Sequence, residues 1–195
     1  NYGDDVYNSV QACKPVTPAP ASTAGPAAGA VASCPVVGGA ISTPSYEGGR
    51  ATGRNNGHCE PGSYGYTCNC GTSGRRAKAI DVPTGGQDVK LPTINGQQVA
   101  WRLIVGPYSV DSQEGGGSGY TFEATVGTDK WYLDMLHLQT SPLRQSVDYP
   151  SGTAVAKSAI SHVHTTIGKN LGRSPVAGTS TDCDSGWLAS DLMCQ

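Results

Sequence analysis

The sequence predicts a mostly β protein: a small antiparallel β-sheet domain with a groove, loop-rich and disulfide-stapled, preceded by a Pro/Ala-rich N-terminal arm. Three observations carry this expectation. Among 195 residues, Gly (27) and Pro (13) are abundant and charged residues make up only 14%, a composition of turns and extended chain rather than long helices. Seven cysteines, at positions 13, 34, 59, 68, 70, 183 and 194, form no CxxC pair, so they read as disulfides made in an oxidising compartment. Finally, β-branched and aromatic runs of alternating polarity recur through the second half of the chain, with only weak helical periodicity anywhere.

Taken in order, residues 14–46 are dominated by Pro, Ala, Gly, Ser and Thr, a mixture that buries little surface and favours a tether. The chain therefore divides into an arm or linker over 1–46 and a domain over 47–195. Residues 47–75 are rich in Gly, Asn and Cys and read as a looped region. Strand candidates follow: "KAIDV" (78–82), "QQVAWRLIVGPYSV" (97–110), "YTFEATV" (120–126) and "KWYLDMLHL" (130–138). "EGGGSG" (114–119) reads as a hairpin turn between the second and third. "SGTAVAKSAISHVHTTI" (151–167) supplies one or two more strands after a Ser151-Gly152 turn, and "SGWLASDLMC" (185–194) is the best candidate for a short turn of helix. Trp101, Tyr120, Trp131 and Tyr132 are expected as core or sheet-face aromatics, and Arg75-Arg76 as a solvated strand edge.

The cysteine spacings suggest local pairs: Cys13–Cys34, Cys59 with Cys68 or Cys70, and Cys183–Cys194. The odd count leaves one thiol free or bonded to another chain, which admits an assembly partner. A formal net charge of −2 argues against a charge-driven nucleic-acid or anionic-membrane surface. No apolar run reaches transmembrane length, and no signal-peptide pattern heads the sequence, so an exported chain is expected to have lost one. The expected location is secreted, periplasmic or at the cell surface.

The chemistry-bearing motifs are few. G-x-S-x-G, the Walker loop, H-E-x-x-H and a G-x-G-x-x-G after a strand are all absent from the sequence. Glu123, Asp129 and Asp134 sit on strand candidates, but nothing in the sequence pairs two of them for glycoside hydrolysis. More informative are Asp81, His137, His162 and His164, each on a strand candidate. His162 and His164 are two residues apart, so in a strand both imidazoles point to one face. Zinc accepts His nitrogen and carboxylate oxygen, three protein ligands with water making a catalytic site. From the residues alone, a surface His pair, a half-buried core His137 and a turn-accepting Asp81 remain open alternatives.

Read in order, "GRRAKAIDVPTGGQDV", "SGYTFEATVGTDKWYLDMLHLQTSPLRQSV", "GTAVAKS" and "HVHTTIG" resemble the successive blocks of the lysostaphin/LytM-type zinc metallopeptidases, over roughly residues 74–170. That family shows His-x-Gly-x-Asp, then Tyr-x-His-Leu, a Gly-x-x-Val turn, and His-Leu-His-Phe-Glu. The resemblance implies an antiparallel sheet flooring a groove, and a zinc ion acting on cell-wall peptide. It implies Asp81 and His164 as metal ligands, and His137 and His162 as the catalytic histidines that act on water and the tetrahedral intermediate. The sequence departs from the pattern at Ala77, where the family has its first zinc ligand, at Ala79 for the motif glycine, and at Thr165-Thr166 for Phe-Glu. Three readings of Ala77 are open: a natural pseudopeptidase, an introduced inactivating change, or replacement by another donor such as His58 or Cys70 upstream. The expected function is a zinc-type peptidoglycan peptide hydrolase impaired by Ala77. The alternative is a non-catalytic module that grips a cell-wall peptide, a glycan or a partner.

Overall fold

The computed structural model describes residues 31–43, 45, 78–110, 112, 115–171, 187–188 and 192–194. Eight strands occur in the order β1 (Ile80–Pro83), β2 (Asp88–Lys90), β3 (Ala100–Ser109), β4 (Ser118–Val126), β5 (Asp129–Leu138), β6 (Asp148–Pro150), β7 (Ala154–Lys157) and β8 (His162–Lys169). Six of them build one sheet in the order β1-β8-β5-β4-β3-β6, and β2 pairs with β7 in a second. Every neighbouring pair is antiparallel. The protein is thus mostly β, and the described residues contain no α-helix; none of them forms a helix long and apolar enough to cross a membrane.

Local sequence explains most of the large sheet. In β4 and β5 the register Val126↔Asp129 leaves a two-residue turn led by Gly127 at φ 63°, the left-handed conformation that tight hairpins demand and glycine adopts without strain. Alternation then sorts the side chains. Ile80, Val82, Val163, Ile167, Trp131, Leu133, Tyr120, Phe122, Trp101 and Leu103 all point to one side, where they are buried. The β2–β7 pair and the loops around it close over them through Val89, Leu91, Ile94, Val99 and Val155. A large apolar side chain fully buried in this way contributes roughly 1.5–3 kcal/mol. Tyr132 is also buried but faces the other way, opposite Glu123 and Gly168.

Two findings revise the expectations for the chain ends. Residues 31–43, which composition assigns to the arm, lie against the core: Ala32 and Val36 are buried, and Ala32 bridges both Ile94 and Met193. Cys34 bonds to Cys194 across a sequence separation of 160, so the local pairs Cys13–Cys34 and Cys183–Cys194 are both wrong. Spacing in sequence misleads here because the parallel bridge Ala32↔Met193 sets the two ends of the folded unit side by side. Cys13, Cys59, Cys68, Cys70 and Cys183 lie outside the described residues, as do Arg75-Arg76 and half of the 185–194 segment. Strands β2 and β6, three residues each, fall outside the strand candidates of the sequence.

Candidate functional site

The four singled-out residues meet on the face of the large sheet turned away from the core. Asp81 and His164 are directly opposed in the antiparallel β1–β8 register, which puts their side chains on the same face and within reach of each other. Asp81 Oδ1 stands 3.3 Å from His164 Nδ1. His162, two residues before His164 and opposite Pro83, shares that face by strand periodicity, and its Nε2 is 3.6 Å from the same carboxylate oxygen.

His137 reaches the group by a different route. Along β5, strict alternation would send it to the core side with Leu133 and Met135. Between β4 and β5, however, the register passes from Tyr120↔Met135 to Ser118↔Leu138, so β5 carries one extra residue. His137 takes that extra place at φ 64°. A bulge re-aims the side chains after it: Leu138 enters the core, and the His137 ring lies 5.3 Å from that of His162 and 5.9 Å from that of His164, both edge-to-face.

Backbone and hydroxyl groups hold this arrangement. Gly115, Gly116 and Gly117, the "EGGGSG" turn of the sequence, all have positive φ and pass directly over His137. A methyl group on Gly117 would lie 3.0 Å from His137 Cα. The Gly116 carbonyl accepts a hydrogen bond from His137 Nδ1 at 3.0 Å. The Ser158 hydroxyl lies within hydrogen-bonding reach of the carbonyl oxygens of both His137 and His162, tying the bulge to the start of β8. Further along the same face, buried Asp134 accepts hydrogen bonds at Oδ1 from Tyr108 Oη and Thr121 Oγ1, each at 2.8 Å. Of these supports, the sequence singled out only the glycine turn and the acid at 134, and it assigned neither to the site.

Tyr108 in turn lies against Gly119, where a side-chain carbon would sit 2.3 Å from its ring. Gly119→Ala is therefore expected to displace Tyr108 from Asp134 and to destabilise the fold by about 1–3 kcal/mol, the usual cost of overpacking. Urea unfolding of the variant measures this, and an unchanged midpoint would count against the contact.

Burial pushes the His137 pKa down from 6.5 to about 4; the neighbouring His164 and His162 add to this, while the Gly116 carbonyl and Asp81 oppose it. The ring is therefore neutral at pH 7. Above 6.5 neither the folded nor the unfolded chain protonates this residue. As the pH falls from 6.5 to about 4 the unfolded state takes up a proton that the folded state refuses, so stability declines on acidification. The expected loss is about 1.4 kcal/mol per pH unit within that window, about 3 kcal/mol in all. Unfolding free energies measured at pH 7 and 4.5 should converge by most of that amount in His137→Gln.

The donor set admits a direct test for zinc. Two donors held at 2.0–2.1 Å on a tetrahedral ion stand roughly 3.3–3.4 Å apart, which matches the Asp81–His164 separation of 3.3 Å. These two residues fit adjacent corners of such a site. Among the described residues no three His, Cys, Asp or Glu side chains form a complete metal-holding group, and position 77 lies outside them, together with His58 and Cys70. No protein-family model, curated protein or solved structure matches the chain.

Proposed function

We propose that this chain is a secreted or cell-surface domain of the lysostaphin/LytM-type zinc endopeptidase design, acting on cell-wall peptide and impaired as its sequence stands because alanine occupies position 77. The observation that supports this reading is the 3.3 Å approach of Asp81 Oδ1 to His164 Nδ1, with the rings of His137 and His162 beside it. Two candidate ligands and two further histidines share one face of the sheet, and these are parts that zinc-dependent hydrolysis of a peptide bond would use. When bound, zinc supplies Lewis acidity, polarising a carbonyl and acidifying water. The two further histidines would move a proton and donate a hydrogen bond to developing negative charge. The disulfide between Cys34 and Cys194 supports an oxidising compartment.

Ala77 favours a second reading. A site short of one ligand holds its ion weakly, and the same polar cluster would then serve a non-catalytic module that grips cell-wall peptide, a glycan or a partner protein. The odd cysteine count suits an attachment through an intermolecular disulfide.

Zinc titration calorimetry tests the leading reading. The chain is expected to bind zinc weakly, and Asp81→Asn or His164→Ala to abolish that binding. Loss of an outer-shell partner alone costs roughly 10–100-fold in metal affinity, so Ala77→His should tighten binding by at least that factor. Identical titrations for the unaltered chain, Asp81→Asn and Ala77→His would sink the reading.

A further inference from the structure

We infer that residues 39–43, in the stretch whose composition reads as a tether, are a positioning part of this site: they hold the backbone of Asp81 and so set its carboxylate against His164. Their part in metal binding rests on the peptidase reading above, whereas the hold on Asp81 does not. In an antiparallel ladder the N–H and C=O of one residue point to the same side, and successive residues alternate sides. Asp81 turns both groups to the segment. Its N–H donates to the Thr43 carbonyl and its C=O accepts from the Ser42 N–H, each at 2.9 Å, with Thr43↔Asp81 an antiparallel bridge. The Asp81 peptide groups therefore face away from β8. Its neighbours agree with this alternation: the Thr84 N–H donates to the Ser161 carbonyl at 3.1 Å, and Pro83, which has no N–H, stands opposite His162, where β8 asks for no donor.

Asp81↔His164 is thus a pair without ladder hydrogen bonds of its own, the close type with Cα atoms about 4.5 Å apart, which suits the 3.3 Å approach of the two side chains. What β8 does not supply is anchorage for the Asp81 peptide groups. β1 has only four residues and ends the large sheet, so without the segment both groups would turn to water and the ladder would no longer fix the residue between Ile80 and Val82. The segment is itself firmly placed. Ala32 bridges Ile94 and Met193, and Cys34 is bonded to Cys194. Nearer the site, Gly39 lies so close to β1 that a Cβ there would stand 2.9 Å from Val82 Cγ1 and 3.0 Å from Val36 Cβ; the absence of a side chain permits that approach. Ser42 and Thr43 act on the site only through Asp81, as positioning residues.

The test compares the full chain with three variants. Ser42→Pro removes the Ser42 N–H, Gly39→Ala pushes the segment off Val82, and Ser42→Ala removes only a hydroxyl contact with the Asp81 carbonyl. Amide hydrogen exchange is read at Asp81 against Phe122 and Leu133, which lie in the interior strands β4 and β5. Loss of one hydrogen bond predicts exchange at Asp81 about three- to tenfold faster relative to those two amides in Ser42→Pro and Gly39→Ala, with an unchanged ratio in Ser42→Ala. Long-range 1H–15N spectra of the chain labelled with 15N-histidine at pH 7 give the second readout. The His164 resonances are expected to shift in the two disrupting variants, while those of His137, whose ring is tied to Gly116, keep their places. An unchanged exchange ratio or unmoved His164 resonances in both variants overturns the proposal, and Gly39→Ala decides it should Ser42→Pro fail to fold. Zinc titration in the Ala77→His background then tests the metal role: Ser42→Pro should weaken binding by about 10–100-fold, as loss of a ligand's hydrogen-bond partner does. Equal binding with and without Ser42→Pro rejects the segment's part in the metal site. No zinc binding by either chain rejects the peptidase reading, and the exchange ratio still decides the hold on Asp81.

Discussion

Ala77→His is expected to switch on zinc-dependent cleavage of cross-linked cell-wall peptide. The unaltered chain carries Asp81 Oδ1 and His164 Nδ1 at the separation of two donors on one tetrahedral ion. A third donor would hold the ion more tightly, and the fourth position would remain open for water. On the peptidase reading, His137, neutral at pH 7, and His162 beside it would supply the remaining groups. A gain on the order of 10³-fold over the unaltered chain corresponds to about 4 kcal/mol of transition-state stabilisation, modest beside what metal hydrolases achieve. The measurement is release of free amine from cross-linked peptide with added zinc. His164→Ala introduced into the same chain should return it to background. Absence of any gain, in a variant that binds zinc tightly, would favour the non-catalytic binding module.

Breaking the Cys34–Cys194 disulfide is expected to produce the largest change in stability. The bond closes a loop with a sequence separation of 160, and the chain-entropy relation assigns a closure of that length about 5 kcal/mol. Engineered and native bonds often deliver less, so Cys34→Ser is expected to cost about 2–5 kcal/mol. The location sharpens the expectation. Ala32 and Val36 are buried on one flank of the bond and Met193 on the other, so releasing the bond also lets the two terminal segments peel from the core. Urea unfolding of Cys34→Ser against the unaltered chain, both without reductant, measures the loss. A loss well under 1 kcal/mol would show that packing alone holds these ends. The site itself lies on the opposite face of the sheet, so the His137 spectrum of Cys34→Ser should be preserved while the folded state persists.

The four-residue cluster was partly legible before folding. His162 and His164 share a face because strand side chains alternate with a period of two, and that property belongs to the "HVH" sequence itself. Asp81 could be placed on a strand, but its partner could not be read from its neighbours: Asp81↔His164 is a pairing across 83 positions, set when β1 adds to the edge of β8. His137 is the instructive case. Read by alternation, it belongs in the core with Leu133 and Met135, and one extra residue in β5 reverses that. The glycine turn was visible as punctuation, yet its second role, covering His137 and accepting its Nδ1 hydrogen, depends on where the bulge brings the ring.

The sequence by itself determined the class of protein: antiparallel strands with one apolar face, and a polar face on which two histidines must sit together. Those features follow from consecutive residues, whose periodicity acts over a few ångströms of backbone. Tertiary structure alone decided the strand order β1-β8-β5-β4-β3-β6, the bulge that turns His137 toward His162 and His164, and the linkage of Cys34 to Cys194. Each of these depends on the packing of segments far apart in the chain, where many pairings satisfy the same local pattern and only the closed core selects among them.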